Sequence, residues 1–397
     1  MINIKTSKLN KAMLNISCFY SMIIYAIATS VTSPILLEIS DHIGEDIQNM
    51  GTIFSISFLG FIIGALLNGI LSKYFNRKKI ALISYILLTI SIFSVTLSFN
   101  FLFITVIFFF MGFSEGFIEI QVSALIMDLN PRREGLFVSL VHVFFGLGAF
   151  IGPLLSSLLV GYGLSWKYPY YLLAILSLIN LIFFIFLKVP DVKIESRKYR
   201  FDFAKLKKLN KNIIIFLLLI FALLFYVGGE MGIVSWLPTF LRLDRNFSNI
   251  LAGRVLSFFW IAMMAGRLIT GFLTKKIRIF YILIAMSVLS VISTILGIYL
   301  NNQLLIIIFF ILSGLFLSGI FPLVVTISGI KYPDKRNFVL SQLTIFGGIG
   351  GLFSPWFIGK IYQKYSLFFG MNFTYIFLAL VLIFSITAYL LDRGKTV

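Results

Sequence analysis

Twelve apolar stretches of roughly 20–27 residues follow one another along the chain, each bounded by a polar break. They cover approximately 13–37, 52–72, 79–98, 101–127, 135–161, 169–188, 213–236, 250–274, 279–300, 303–328, 337–361 and 367–391. As a helix, a stretch of that length spans about 30 Å, the hydrocarbon thickness of a bilayer. Charged residues are only 12% of the 397, where soluble domains carry about a quarter. A soluble core could not hide this much apolar surface, so the solvent must be lipid. The stretches do not alternate as barrel strands would, and only helices otherwise satisfy the backbone in hydrocarbon. The expected fold class is therefore an all-α membrane protein with 12 transmembrane helices.

A formal charge of +18 could point to nucleic acid, but its distribution argues otherwise. With the N-terminus placed in the cytoplasm, 26 basic residues fall on the inner connections and termini and six on the outer side, leaving Arg267 within a helix. That asymmetry is the positive-inside rule. The basic charge thus sets orientation, and no nucleic-acid partner is expected. Cys18 is the only cysteine, which excludes a disulfide framework and a thiolate metal cluster. The first apolar stretch is too long for a signal h-region and lacks a clear cleavage site, so it is expected to stay as the first span.

The longest polar connection contains "ESRKYRFDFAKLKKLNK" and divides the chain almost in half. The expected domains are a six-helix half at 1–188, a cytoplasmic basic linker at 189–212 and a second six-helix half at 213–397. The halves repeat at a constant offset of 202 residues. Gly64 matches Gly266, Gly69 matches Gly271, Gly112 matches Gly314, and Gly146, Gly148 and Pro153 match Gly348, Gly350 and Pro355. Six spans per half give both halves the same orientation, so the repeats are parallel, a known architecture of secondary transporters.

In this respect the chain resembles the major facilitator superfamily over essentially its whole length. "GILSKYFNRKK" (69–79) is similar to the superfamily's loop motif between the second and third helices. Gly69, Leu71, Arg77 and Lys78 fit, while Lys73 stands at the usual acidic position. The resemblance implies a gating role for Arg77. Within the superfamily, "GFSEGFIEIQVSALIMD", "YVGGEMGIVSWLPTFL" and "GIFPLVV…GGIGGLFSP" resemble the fucose/glucose permease group of sugar–proton symporters. Glu119 and Glu230 fall on that group's acidic positions in helices 4 and 7. Ser123 stands where an Asn is usual, and Ser30 roughly where some members carry an Asp in helix 1.

The repeat also singles out residues without any family knowledge. Glu115 faces Leu317 across the offset, Glu119 faces Phe321, His142 faces Thr344, Glu230 faces Ala28 and Arg267 faces Ala65. Each ionisable residue is a one-sided insertion, and a charge at a helix centre costs about 2.5–3.5 kcal/mol on insertion scales. Glu119 lies about 12 Å along the axis from the basic "NPRR" loop, with Glu115 one turn deeper on nearly the same face. Burial and a like-charged neighbour both favour a neutral carboxyl. Glu119 and Glu115 are accordingly the proton-coupling candidates, with neutral packing carboxyls as the alternative. Glu119, Glu230, His142, Ser123, Ser30 and Phe321 are the substrate-binding candidates. Arg267, within two turns of Lys275, is expected nearer the cytoplasmic gate, snorkelling or paired with a backbone carbonyl. The glycines at 146, 148, 152, 347, 348, 350 and 351 are expected to allow close helix packing. "GGIGG" is no nucleotide loop, because no strand precedes it and no P-loop lysine follows.

The function these residues point to is secondary transport of a small polar solute, a sugar first, by alternating access with protons as coupling ion. Phe144, Phe321 or Trp260 could pack against a sugar's C–H face. An efflux carrier for drugs or other metabolites stays open, since an aromatic-rich cavity also suits amphipathic cations. An enzyme would need HExxH, an Asp-rich metal motif or a nucleophile with its base, and none is present. No cofactor or metal is expected. The expected setting is a monomer in the plasma membrane bilayer, multi-pass, with both termini cytoplasmic.

Overall fold

A computed structural model of the chain describes residues 7–72, 74–190, 211–333 and 336–392. Among these residues the regular elements are helices only: α1 (Lys8–Ser30), α2 (Leu36–Ile43), α3 (Gly51–Leu71), α4 (Arg77–Val95), α5 (Phe101–Leu129), α6 (Glu134–Gly161), α7 (Tyr168–Ile185), α8 (Lys211–Leu243), α9 (Asn249–Leu273), α10 (Ile279–Tyr299), α11 (Gln303–Leu317), α12 (Ile320–Lys331), α13 (Arg336–Lys364) and α14 (Leu367–Asp392). Short polar residues start several of them. Asn76, Asn100 and Asn302 accept from the backbone N–H three residues on, at 2.9, 2.8 and 3.1 Å, so each fills an orphan donor of the first turn.

Eleven segments among the described residues are long and apolar enough to cross a membrane, α1–α2 and α11–α12 each counting as one. The eleventh apolar stretch of the sequence lies in α13, which is 29 residues long but diluted by glycine, serine and glutamine, and it is not among the eleven. Both paired segments are broken for local reasons. After α1, a single 3-10 turn over Ser33–Ile35 carries Pro34, and Gly44 ends α2 in the left-handed region at φ 67°. Between α11 and α12, Pro322 lacks the N–H that would bond back to Ser318, so the ladder lapses there. In α5, which has no proline in the corresponding stretch, the helix runs unbroken for 29 residues.

The chain divides into two compact units, Met1–Ser196 with Phe247–Ser257, and Arg197–Asn246 with Phe258–Val397. In the first, α1 packs on α5, α6 and α7, while α3 lies along α5 and α4 along α5 and α7. A buried polar string ties α1, α4 and α7 together. Asn180 accepts from Ser17 at 3.2 Å and donates to Ser21 at 2.9 Å, and the Ser21 and Tyr85 hydroxyls meet at 2.7 Å. The start of α9 belongs with this unit because Gly253 sits on Ser157 and Gly161 on Ile250. In the second unit, α8 packs on α13 and α14, and α10 on α11 and α14. Trp236 Nε1 donates to the Pro355 carbonyl at 2.9 Å, fixing α8 against α13.

Candidate functional site

Apart from the ion pairs Arg77–Asp128 and Lys331–Asp392 near helix ends, the sequence's acidic candidates among the described residues fall in two places, one in each unit. In the first unit α5 presents Glu115, which is 3% exposed, and Glu119, which is half-buried one turn away. Helix α1 supplies the hydroxyls opposite. Thr29 Oγ1 stands 3.4 Å from Glu115 Oε1 and 2.9 Å from its own helix's Tyr25 carbonyl. The Tyr25 hydroxyl lies within electrostatic reach of both glutamates. Its ring is held edge-on by Phe145 at 5.1 Å and parallel to Phe61 at 6.5 Å. Ser123 follows Glu119 by four residues on the same helix face and is half-buried. His142, on α6, is exposed.

In the second unit Glu230 is 6% exposed on α8, one turn from the fully buried Tyr226. The Tyr226 hydroxyl is within electrostatic reach of Glu230 and of the Arg267 guanidinium of α9, and makes no hydrogen bond of full geometry. Arg267 also reaches Met263 Sδ at 3.7 Å, and its Nε is buried without a partner. Phe321, on α12, is 37% exposed, with its ring 6.4 Å from that of Tyr226. Arg267 is thus within electrostatic reach of Glu230 on α8.

Three other candidates are placed differently from expectation. Ser30 is fully buried, donates to the Ala26 carbonyl at 2.7 Å and packs on Gly152, so it joins helices and lines no open surface. Phe144 stacks on Phe19 at 4.7 Å, and Trp260 is buried edge-on to Phe259 at 6.0 Å. Neither is an open aromatic platform, whereas Phe321 is. Arg77 opens α4 and forms an ion pair with Asp128 in the last turn of α5. Tyr25, Thr29 and Tyr226 are the residues that the ionisable-only reading passes over. Their signal is spacing: Tyr25 precedes Thr29, and Tyr226 precedes Glu230, by one helical turn.

Carboxylates buried in the apolar spans of a polytopic helical bundle fit a membrane transporter, in which such groups mark substrate or ion pathways. The chain is a member of the Major Facilitator Superfamily, whose family model matches residues 18–355, and it is a multi-pass integral membrane protein and not an enzyme. Among curated relatives, "Protein TsgA homolog" of Buchnera aphidicola subsp. Baizongia pistaciae is 24% identical over 365 residues, 91% of this chain and 92% of that protein. "Glucose/mannose transporter GlcP" of Bacillus subtilis is 26% identical over 351 residues, 83% of each. Among solved structures, an inward-facing, occupied bacterial homolog of the human lysosomal transporter Spinster matches with a TM-score of 0.80 at 13% identity, over 98% of both chains. A point mutant of the nucleoside transporter NupG matches at 0.79 and 15%, over 96% of this chain and 99% of that one. At such identities the structural likeness speaks for the fold.

Proposed function

We propose that the chain carries a sugar across the plasma membrane by alternating access, coupled to protons. The observation that carries the sugar reading is the 26% identity to a glucose/mannose transporter over 83% of both chains. The permease-like stretches around Glu119 and Glu230 support it, because these carboxylates have hydroxyls close by. Carboxylates accept from sugar hydroxyls, and Phe321 offers an open ring for a C–H face.

For the proton, Glu119 is the exchanging group and Glu115 its neutral neighbour. The Thr29 hydroxyl donates, shared between Glu115 Oε1 and the Tyr25 carbonyl. Glu119 has the greater access. Arg77 with Asp128 serves as a cytoplasmic-side fastening between α4 and α5.

The architecture we infer has twelve crossings in two parallel six-helix halves, 1–188 and 213–397, with both termini and the 189–212 linker in the cytoplasm. The linker core, like Lys73, lies outside the described residues. The 202-residue offset extends to contacts. A methyl on Gly112 would stand 1.9 Å from the Ser57 carbonyl oxygen, and one on Gly314 2.4 Å from that of Phe259. Likewise Gly64 approaches the Phe113 carbonyl and Gly266 that of Leu315, at 2.2 and 2.4 Å.

Purified protein in liposomes, offered a panel of labelled hexoses with and without an imposed pH gradient, tests the proposal. Accumulation of at least one hexose that collapses with the gradient is expected. Uptake of no hexose would return the reading to other solutes, amphipathic cations included.

A further inference from the structure

A cavity of about 10 Å³ lies inside the first unit, where α1, α4, α5 and α7 meet. Arg77, Ala81 and Tyr85 line it from successive turns of α4, with Cys18 from α1, Gln121 from α5 and Phe184 from α7. Its three larger polar side chains each belong to a different set of bonds. Arg77 Nη1 donates to Asp128 of α5 in the ion pair. The Tyr85 hydroxyl meets that of Ser21 at 2.7 Å, and Ser21 accepts from Asn180 of α7 at 2.9 Å. Gln121 donates to Asn68 Oδ1 at 2.9 Å, and Asn68 to the Phe117 carbonyl at 3.1 Å. One donor is left over. Arg77 Nε is buried, in a residue 8% exposed, and has no partner among the described residues. A buried donor left unmatched costs its full desolvation, and the rigid guanidinium cannot turn Nε elsewhere without giving up Asp128.

Asp128 already offsets the charge of Arg77, so the ligand that suits Nε is a neutral acceptor and not an anion. A buried water needs about 10–15 Å³ and two to four polar partners. The cavity has that room, and Arg77, Tyr85 and Gln121 supply the partners. We infer that the cavity is a structural water site, whose water accepts from Arg77 Nε and joins the Arg77–Asp128 pair to the hydrogen-bond strings of Tyr85 and Gln121. The fastening of α4 to α5 is thereby linked to the polar string that holds α1, α4 and α7. The site concerns the first unit alone, and it stands whichever solute the chain carries.

Ala81→Val and Ala81→Thr place side chains of equal shape in the cavity, and both displace the water. Ala81→Val leaves Arg77 Nε without an acceptor, whereas the hydroxyl of Ala81→Thr, one turn away on the same face, can accept from it. Thermal unfolding of the full-length protein in detergent should place Ala81→Thr several degrees above Ala81→Val. In an Arg77→Lys background, which keeps a cation for Asp128 but has no Nε–H, the difference should vanish. Equal Tm values for the first pair, or a difference that persists in the Arg77→Lys background, overturn the site. Should the Ala81 variants fail to fold, wild type supplies the second measurement. Cys18 is the only cysteine, so its S–H stretch is read in the infrared without overlap from another thiol. On transfer to heavy water the band is expected to shift to S–D within minutes, because Cys18 lines the water site. An S–H band that survives overnight overturns the proposal.

Discussion

Gly112→Ala is expected to destabilise the first unit through a single methyl group. The added carbon would lie 1.9 Å from the Ser57 carbonyl oxygen and 2.7 Å from its carbonyl carbon and its hydroxyl oxygen. Comfortable carbon contacts begin near 3.5 Å, so α3 and α5 would have to part by about 1.5 Å along that line. Two of the three clashing atoms are backbone, so no rotamer change relieves them. Overpacking of this kind costs about 1–3 kcal/mol, and backbone on the facing side puts Gly112→Ala toward the upper part of that range. Gly69→Ala, on the same α3, is the control, because a methyl there meets nothing within 4 Å. Replacing a helical glycine in open space gains about 0.5–1 kcal/mol. Thermal unfolding of the purified variants, followed by intrinsic fluorescence, should place Gly112→Ala well below wild type and Gly69→Ala at or above it. Equal Tm values for the two variants would refute the packing argument.

Gly314→Ala should behave like Gly112→Ala, since it meets the Phe259 carbonyl and ring, and the same unfolding assay decides it. Asp244 lies just beyond α8, where burial raises its carboxyl above the ordinary range while Arg245 beside it pulls the other way. The folded chain then holds this proton to higher pH than the unfolded chain does, so stability falls as pH rises through the raised value. Asp244→Asn should flatten that slope, and an unchanged slope in a pH series of unfolding curves would contradict it. In a Cys18→Ser background, Tyr162→Cys should react with an impermeant thiol reagent on intact cells and Tyr74→Cys only after lysis, both positions being about three-quarters exposed. The reverse pattern would invert the topology.

Much of the fold is legible in the sequence because lipid leaves few choices. Apolar length marks the spans, and the breaks between them fall within a few residues of the helix ends. At the start of α9 the sequence reading is less complete. Its affiliation depends on Gly253 and Gly161 meeting Ser157 and Ile250, contacts that no one-dimensional pattern announces. The extra length of α8, which runs on to Leu243 past Pro238, is similarly invisible to hydropathy. For the site, one-sided acids in the repeat pick out Glu115, Glu119 and Glu230, but a hydroxyl such as Thr29 or Tyr226 does not stand out in an apolar run. Arg267 is the instructive case. Its distance from the loop suggests a snorkelling side chain, yet Glu230, within electrostatic reach of it, is 37 residues earlier in sequence on another helix. Which helix face a buried cation turns to is a question of partners, and partners are set by packing.

The central claim is that Glu119 carries the proton that drives hexose accumulation. Glu119→Gln keeps the side chain's volume and mimics its protonated form. The direct measurement compares, in the same proteoliposomes, concentrative hexose uptake under an imposed pH gradient with hexose exchange at equal pH. The account predicts that Glu119→Gln loses accumulation and keeps exchange, while Glu115→Gln keeps both. A Glu119→Gln protein that still concentrates the hexose in response to the gradient would contradict it and move the proton site elsewhere, with Glu230 the next candidate.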